Sequence, residues 1–170
     1  MTIGIWPASM RRQRLGGILL DYPYEGGPGD PDICAIAQMN RICGMNVPYG
    51  IGAEPGKTLS QAAELLLSVL AESPVPVAVH IVGSCIDVAL ALNAQPERFE
   101  RNCAAIYLHA GAAQDDRQLE YNVALAPWAY ARVHAAPCPV YWLPCFHRVP
   151  DWGKEDMRIG KHGTFYRFVQ

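Results

Sequence analysis

The sequence predicts an α/β domain built on a mostly parallel sheet with helices on both faces. Short apolar runs of strand length, among them "GGILL", "VPVAVHIVG" and "CAAIYLHAG", recur along the chain. Runs without polar alternation are typical of strands that are buried on both faces. Segments with helical spacing and capping residues separate these runs, and such alternation of strands with helices favours parallel pairing.

The apolar runs and the segments between them give a definite order of elements. The predicted strands cover residues 16–21, 75–83, 103–111 and 139–145, and the predicted helices cover residues 30–44, 58–73, 84–99 and 126–136. Residues 47–57 are predicted to be a loop, and residues 115–125 are expected to be polar and then loop-like.

Capping residues justify the first two helices. Asp30 suits the N-cap of the first helix, Pro31 its first turn and Gly44 its C-terminal end. Thr58 and Gln61 have capping-box spacing ahead of an apolar helix face. The third helix is expected to stop near the proline of "NAQPERF".

Length and composition fit one domain with one hydrophobic core. The chain has 170 residues, of which 51% are hydrophobic, and its formal net charge is -2. We expect a flexible N-terminal arm over residues 1–16, an α/β domain over residues 17–146 and a polar C-terminal segment over residues 147–170. The basic cluster "RRQR" lies in the arm and is predicted to be a solvated tail.

Several classes of protein are disfavoured. A near-neutral charge argues against a nucleic-acid partner, and no apolar run reaches the ~18 residues of a membrane span. The N-terminus has no continuous apolar signal segment, so we expect a cytoplasmic protein without a membrane partner. The six cysteines form no CxxC pair and mostly occupy apolar segments, which predicts buried thiols. No glycine-rich phosphate-binding motif is present.

Polar motifs follow the predicted strands. Asp21, "GSCID", "HAG" and "PCFHR" each come after an apolar run. Because ligands of parallel α/β sheets bind beyond the carboxyl ends of the strands, these motifs are expected to lie at one functional edge.

Four segments in order resemble the inosine-uridine-preferring nucleoside hydrolase family. They are "VAVHIVGSCIDVALALNAQPERF", "IYLHAGA", "LEYNVALAPWAYARV" and "VYWLP". The family has a strand followed by G-P-L-T-N-x-A-x-A-L, a strand ending in M-G-G, then E-F-N and D-P-x-A-A. The resemblance covers residues 17–145. It implies a nucleoside-hydrolase-like fold, a small-molecule nucleoside as substrate and hydrolysis of the N-glycosidic bond of ribonucleosides.

The family's aspartate cluster, D-T-D-x-G-x-D-D-A, has its counterpart in "DYPYEGGPGDPD". By this resemblance, Ca²⁺ is bound by Asp21, Asp30, Asp32 and the backbone carbonyl of Ile86. Carboxylates suit this cation, which orients a water molecule and lowers its pKa. Asp21 is then the general base, and the transition state is oxocarbenium-like.

The resemblance also implies residues that contact the sugar. Glu120 and Asn122 of "EYN" would bind the ribose hydroxyls, and His109 would lie at the edge of the substrate site.

The chain departs from the family pattern at several positions. Pro31 stands in place of one aspartate, Ile86 and Asp87 replace Thr-Asn, and Ala126 replaces the aspartate of D-P. The late His-Asp motif of the family is missing. A catalytically inactive relative that binds a nucleoside, or an interaction domain that pairs through a sheet edge, is therefore the alternative. The preferred base and the oligomeric state stay open, with a homo-oligomer as one option.

Most candidates also have a purely structural interpretation that the residues alone leave open. Helix capping or helix-dipole roles apply to Asp30, Asp32 and Asp87, a turn to Asn122, a surface charge to Glu120, and a core position to His109, Trp128 and Trp142.

Overall fold

The computed structural model describes residues 14–22, 31–111 and 119–144, and these have an α/β fold. The strands are β1 (Ile18–Leu20), β2 (Tyr49–Ile51), β3 (Val77–Ile81), β4 (Cys103–Leu108) and β5 (Val140–Trp142). The helices are α1 (Pro31–Cys43), α2 (Gln61–Glu72), α3 (Ile86–Ala94), α4 (Pro96–Asn102), α5 (Tyr121–Leu125) and α6 (Pro127–His134). Most of the predicted arm and all of segment 147–170 lie outside these ranges. No helix within the ranges combines the length and the apolar character that crossing a membrane requires.

The strands pair in parallel, as predicted, but the described residues form two sheets. β1 pairs with β2, with Leu19 opposite Gly50. The second sheet has the order β3-β4-β5, and Val79 faces Ile106, which in turn faces Val140. Each connection between parallel neighbours contains at least one helix, as parallel pairing requires.

One layer of helices covers one face of the three-stranded sheet. α2 packs against α3 and α4, and α3 packs against α6. The shared core includes Leu70 of α2, Leu92 of α3, and Ile106 and Leu108 of β4. Every residue of α3 from Asp87 to Leu92 is buried because this helix lies between its neighbours. Burial of such apolar surface is the main stabilising contribution.

The opposite face of this sheet carries a row of aromatic rings. His80, Tyr107 and Tyr141 lie side by side in the register of β3, β4 and β5. The rings stack with centroid distances of 4.7 Å and 5.2 Å. His80 and Tyr141 are exposed, so the predicted cover of helices is seen on one face of this sheet in the described part of the chain.

α1 is less buried than its sequence predicts. Ile36 is the single buried residue among residues 32–43. The prediction of buried thiols is wrong for Cys34 and Cys43, which are exposed on this helix, whereas Cys85 and Cys103 are buried. The apolar positions of a helix become buried only where another element packs on them, and sequence spacing alone does not reveal this.

The segment predicted as a loop over residues 47–57 contains β2. The Asn40 side chain fixes the approach to this strand, because its amide donates to the Val47 carbonyl at 3.1 Å and accepts from the Val47 N–H at 3.0 Å. The Asn40 side chain thus satisfies both backbone hydrogen-bonding groups of Val47, which lies two residues before the strand. The three-residue strand is too short to show a clear period.

Two helix boundaries also differ from the prediction. Ser60, rather than Thr58, is the N-cap of α2 and accepts from the Ala63 N–H at 3.0 Å. The predicted helix 84–99 divides at Gln95 into α3 and α4, because Pro96 cannot continue α3 but suits the first turn of α4. Likewise, residues 121–125 are helical rather than loop-like.

Gly50 is required where β2 meets the start of α2. A Cβ at this position would lie 2.6 Å from the Gln61 carbonyl oxygen and 2.7 Å from the Ala62 backbone. We expect Gly50→Ala to lower the free energy of unfolding by about 1–3 kcal/mol, since backbone atoms on both sides must move. Urea denaturation measures this change.

The matched control is Gly44→Ala. Gly44 has a φ of 60° and a Cβ there would meet nothing within 4 Å, so only the backbone conformation opposes the change, at a cost of about 1 kcal/mol. A Gly50→Ala protein as stable as the wild type would contradict the close packing of β2 on α2.

Candidate functional site

A cavity of about 260 Å³ lies beyond the carboxyl ends of β1 and β3. Asp21 follows β1, the segment from Ser84 to Asp87 follows β3, and Ala126 with Trp128 contributes the wall at the α5–α6 junction. The lining residues are Asp21, Tyr22, residues 53–57, Ser84, Ile86, Asp87, Leu125, Ala126 and Trp128. The location agrees with the general rule for ligand sites in parallel α/β folds.

Asp21 joins the two sheets at this cavity. Its carboxylate accepts a hydrogen bond from the Ser84 N–H at 3.1 Å and a short one from the Ser84 hydroxyl. The side chain remains exposed. Gly83 allows this approach, because a Cβ there would lie 2.5 Å from Oδ2 of Asp21. Charged acceptors form stronger hydrogen bonds than neutral ones, so the two bonds fix the direction of the carboxylate.

Asp87 is a second carboxylate of the cavity wall and is only 5% exposed. Its Oδ1 accepts from the Ala53 N–H at 3.0 Å and from the Ser60 hydroxyl at 2.5 Å. Ser60 is also the N-cap of α2. Asp87 therefore connects the loop after β2, the start of α2 and the start of α3. Asp87 lies in the first turn of α3, as its interpretation as a helix-dipole partner requires, and it also accepts hydrogen bonds from two other elements.

Burial raises the pKa of Asp87 above its usual value of 3.8, and the nearby charge of Asp21 raises that pKa further. The hydrogen bonds from Ser60 and Ala53 act in the opposite direction. Burial disfavours the charged form more strongly than these two donors favour it. The two carboxylates consequently interact across the cavity wall.

The raised pKa makes stability depend on pH. The folded state binds the Asp87 proton more tightly than the unfolded state, so this contribution is present below pH 3.8 and is lost as pH rises through the folded-state pKa. In the Asp87→Asn variant the side chain at this position does not titrate, so it makes no pH-dependent contribution to stability. We expect the stability of the variant relative to the wild type to increase as pH rises from about 4 to 8. Urea denaturation across this range gives the difference, and a difference that stays constant would contradict the raised pKa.

Glu120 and Asn122 lie near the cavity but are not among its lining residues. Glu120 is 7% exposed and is the N-cap of α5. Its carboxylate accepts from the N–H groups of Gly111, Asn122 and Val123, at 2.9 Å, 3.0 Å and 3.4 Å. The Asn122 amide donates to the same carboxylate at 3.2 Å. The surface-charge interpretation of Glu120 was therefore wrong, because this side chain holds the turn after β4 and the start of α5.

Of the remaining predicted site residues that the structure describes, one lines the cavity and the others do not. Ile86 lines the cavity, whereas Asp32 is exposed in the first turn of α1 and His109 is half-buried after β4. Asp30 lies outside the described residues. Within residues 14–22, 31–111 and 119–144, no three or more His, Cys, Asp or Glu side chains form a group that could hold a metal ion.

Sequence reasoning missed two contributors to the site. Trp128 was interpreted as a core residue, but it is 51% exposed and lines the cavity. The second contributor is Ser84, whose position in "GSCID" directly after a strand is the available signal. Trp142, also interpreted as a core residue, is 43% exposed and does not line the cavity, and its indole N–H donates to the Ala110 carbonyl at 2.7 Å. No comparable signal marks Trp128, because helical spacing does not tell which face meets a cavity.

Comparison of the chain with known protein families and with curated proteins gave no match to either.

Proposed function

We propose that this cavity binds a ribonucleoside and that the chain hydrolyses its N-glycosidic bond to give the base and ribose. The supporting observation is that three distant motifs converge on one cavity. Asp21, the "GSCID" segment and the "APW" segment all contribute lining residues. These are the segments in which the chain resembles nucleoside hydrolases, so the proposal extends to a nucleoside-hydrolase-like fold.

Asp21 is the proposed general base. Its carboxylate lines the cavity and is oriented by the two hydrogen bonds from Ser84. It accepts the proton of a water molecule that attacks the anomeric carbon. The same negative charge stabilises the positive charge that develops on the sugar as the bond to the base breaks.

Glu120 and Asn122 act indirectly in this proposal. The Glu120 carboxylate is engaged with the turn at Gly111 and the start of α5, and the Asn122 side-chain amide donates to that carboxylate. Since α5 ends at Leu125 and is followed by Ala126, the cap positions two lining residues of the cavity. The resemblance implies that Glu120 and Asn122 contact the ribose hydroxyls. In this proposal the two residues instead hold the cavity wall in position.

Calcium belongs to the proposal through the resemblance and through the chemistry of the donors. The carboxylate residues Asp21, Glu54 and Asp87 line the cavity, and oxygen ligands of this kind suit Ca²⁺. Asp21 would hold the ion, with Ile86 beside it as the resemblance implies. Bound there, it would lower the pKa of a water molecule. The exposed position of Asp32 on α1 assigns it no direct part in the proposed mechanism.

A binding domain without catalysis is the second candidate. The arrangement of the described side chains supports it, because Asp21, Glu54 and Asp87 all line the cavity but no three of the described His, Cys, Asp or Glu side chains form a group that could hold a metal ion. Such a protein would hold the nucleoside in the same cavity without breaking the bond.

The deciding experiment incubates the chain with inosine or uridine, in calcium or in a chelator. Release of base is followed by chromatography and release of ribose by a reducing-sugar assay. Equal release of both products that depends on calcium supports the hydrolase. Binding of inosine in ligand-observed NMR without release supports the second candidate. Neither binding nor release would reject both. Ser84→Ala, which removes one hydrogen bond to Asp21, should reduce release while leaving calcium dependence in place.

A further inference from the structure

Two thiols meet where β4 and the segment before β5 begin. Cys103 is the first residue of β4, and one residue, Pro139, lies between Cys138 and the start of β5. β4 and β5 are parallel neighbours with Ile106 opposite Val140, so the same register brings Cys138 beside Ala104. A backbone hydrogen bond of 2.9 Å from the Ile106 N–H to the Pro139 carbonyl holds the two segments together at this end.

The side chains of the pair are neighbours. Cys103 belongs to the hydrophobic core and Cys138 packs against it, and each thiol influences the pKa of the other. Cys103 is 7% exposed and Cys138 is half-buried. The pair thus has one thiol within reach of a small reagent and one behind it.

The two thiols are chemically unequal. Burial and, to a lesser extent, the nearby Cys138 raise the pKa of Cys103 to about 12. Burial also raises the pKa of Cys138, but the hydrogen bond from Cys103 acts in the opposite direction. Cys138 is therefore the thiol that ionises first, and the thiolate is the form that attacks a disulfide.

We propose that Cys103 and Cys138 are an oxidation site that forms an intramolecular disulfide between the start of β4 and the approach to β5. This site is separate from the cavity and does not depend on the proposed nucleoside chemistry. Adjacent backbone segments provide the Cα separations that disulfides need.

The oxidant is a small disulfide such as oxidised glutathione. The Cys138 thiolate attacks one sulfur of the reagent, the S–S bond of the reagent breaks, and one glutathione leaves as a thiolate. The Cys103 thiol then loses its proton and attacks the Cys138 sulfur of the mixed disulfide, which releases the second glutathione. The protein loses two protons and two electrons, and the reagent is reduced to two thiols. Contact between the partners favours the second step over attack by free glutathione.

The new bond would enclose the segment that builds one wall of the cavity. Residues 103–138 contain β4, α5 and α6, including Leu125, Ala126 and Trp128. A cross-link across this length restricts the unfolded chain, so the oxidised protein should resist denaturation better than the reduced protein.

The experiment treats the folded full chain with oxidised glutathione, blocks remaining thiols with N-ethylmaleimide and digests it without reduction. Trypsin with chymotrypsin separates Cys138 from Cys145, because Tyr141 and Trp142 lie between them. We expect mass spectrometry to show the Cys103–Cys138 linked peptide as the main cross-link. The midpoint of urea denaturation should rise upon oxidation.

Two variants keep the test decisive. Cys138→Ser should lose both the linked peptide and the rise in midpoint, whereas Cys34→Ser, at an exposed position of α1, should retain both. Stable glutathione adducts on Cys138 without linkage would overturn the proposal. Random cross-links that include Cys34 and Cys43 at equal yield would also overturn it.

Discussion

Asp21→Asn is expected to lower the rate of nucleoside hydrolysis by about 10²–10⁴-fold, the range typical for loss of a general base. Asparagine has the same shape, and its Oδ1 can still accept a hydrogen bond from Ser84. It cannot accept a proton from the attacking water. The effect should therefore fall on kcat, with KM changed much less. Initial rates of base release at several inosine concentrations separate the two constants.

The control for this prediction is Glu72→Gln. Glu72 is an exposed residue at the end of α2 and is not among the lining residues of the cavity, so the same loss of charge should leave the rate unchanged. If Asp21→Asn and Glu72→Gln were equally active, Asp21 could not be the base. Equal folded stability of the two variants, measured by urea denaturation, shows that the effect is chemical.

The largest effect on stability is expected for Asp87→Ala. The change leaves the Ala53 N–H and the Ser60 hydroxyl without their buried acceptor, and unsatisfied buried donors are costly. We expect the free energy of unfolding to fall by about 2–4 kcal/mol. Part of the loss arises at α2, because Ser60 is both a donor to Asp87 and the cap of that helix.

Asp87→Asn distinguishes loss of the acceptor from loss of the charge. Asparagine retains an oxygen for both donors and removes a buried charge that burial disfavours. Near neutral pH its stability should equal or exceed that of the wild type. The midpoints of urea denaturation of the wild type, Asp87→Ala and Asp87→Asn distinguish loss of the acceptor from loss of the charge. If the alanine and asparagine variants were equally destabilised, the hydrogen bonds of Oδ1 would not be the reason for the buried position of Asp87.

The sequence predicted the elements that lie in clearly apolar or helically spaced segments. Strands β1, β3, β4 and β5 were located because they lie in predominantly apolar runs, and α2 because its apolar face has helical spacing. β2 was not predicted because proline and glycine surround and interrupt its three residues, and its identity depends on contact with β1 and α2. α5 was not predicted because its N-cap is Glu120, and glutamate is not among the usual N-cap residues Ser, Thr, Asp and Asn.

The candidate site was predictable in part. Asp21 was singled out because it follows an apolar strand and matches a family motif, and the structure brings it to the cavity. Its partner Ser84 lies 63 residues away, and sequence spacing carries no information on such a contact. The burial of Asp87 depends on how residues 52–60 fold over the start of α3. The outward face of Trp128 depends on which elements pack against α6, which no local pattern encodes.

The two sheets differ in extent, and this difference has a consequence for fluctuations of the native state. β1 and β2 share three register pairs, and the residues of β1 are only half-buried. β3 and β4 share five pairs, and Val79, Ile81, Ile106 and Leu108 are buried. Local opening requires less free energy where fewer apolar contacts must break, so the amide protons of β1 should exchange with solvent before those of β4. Asp21 follows β1 directly, so the carboxylate at the cavity is attached to the sheet that opens first.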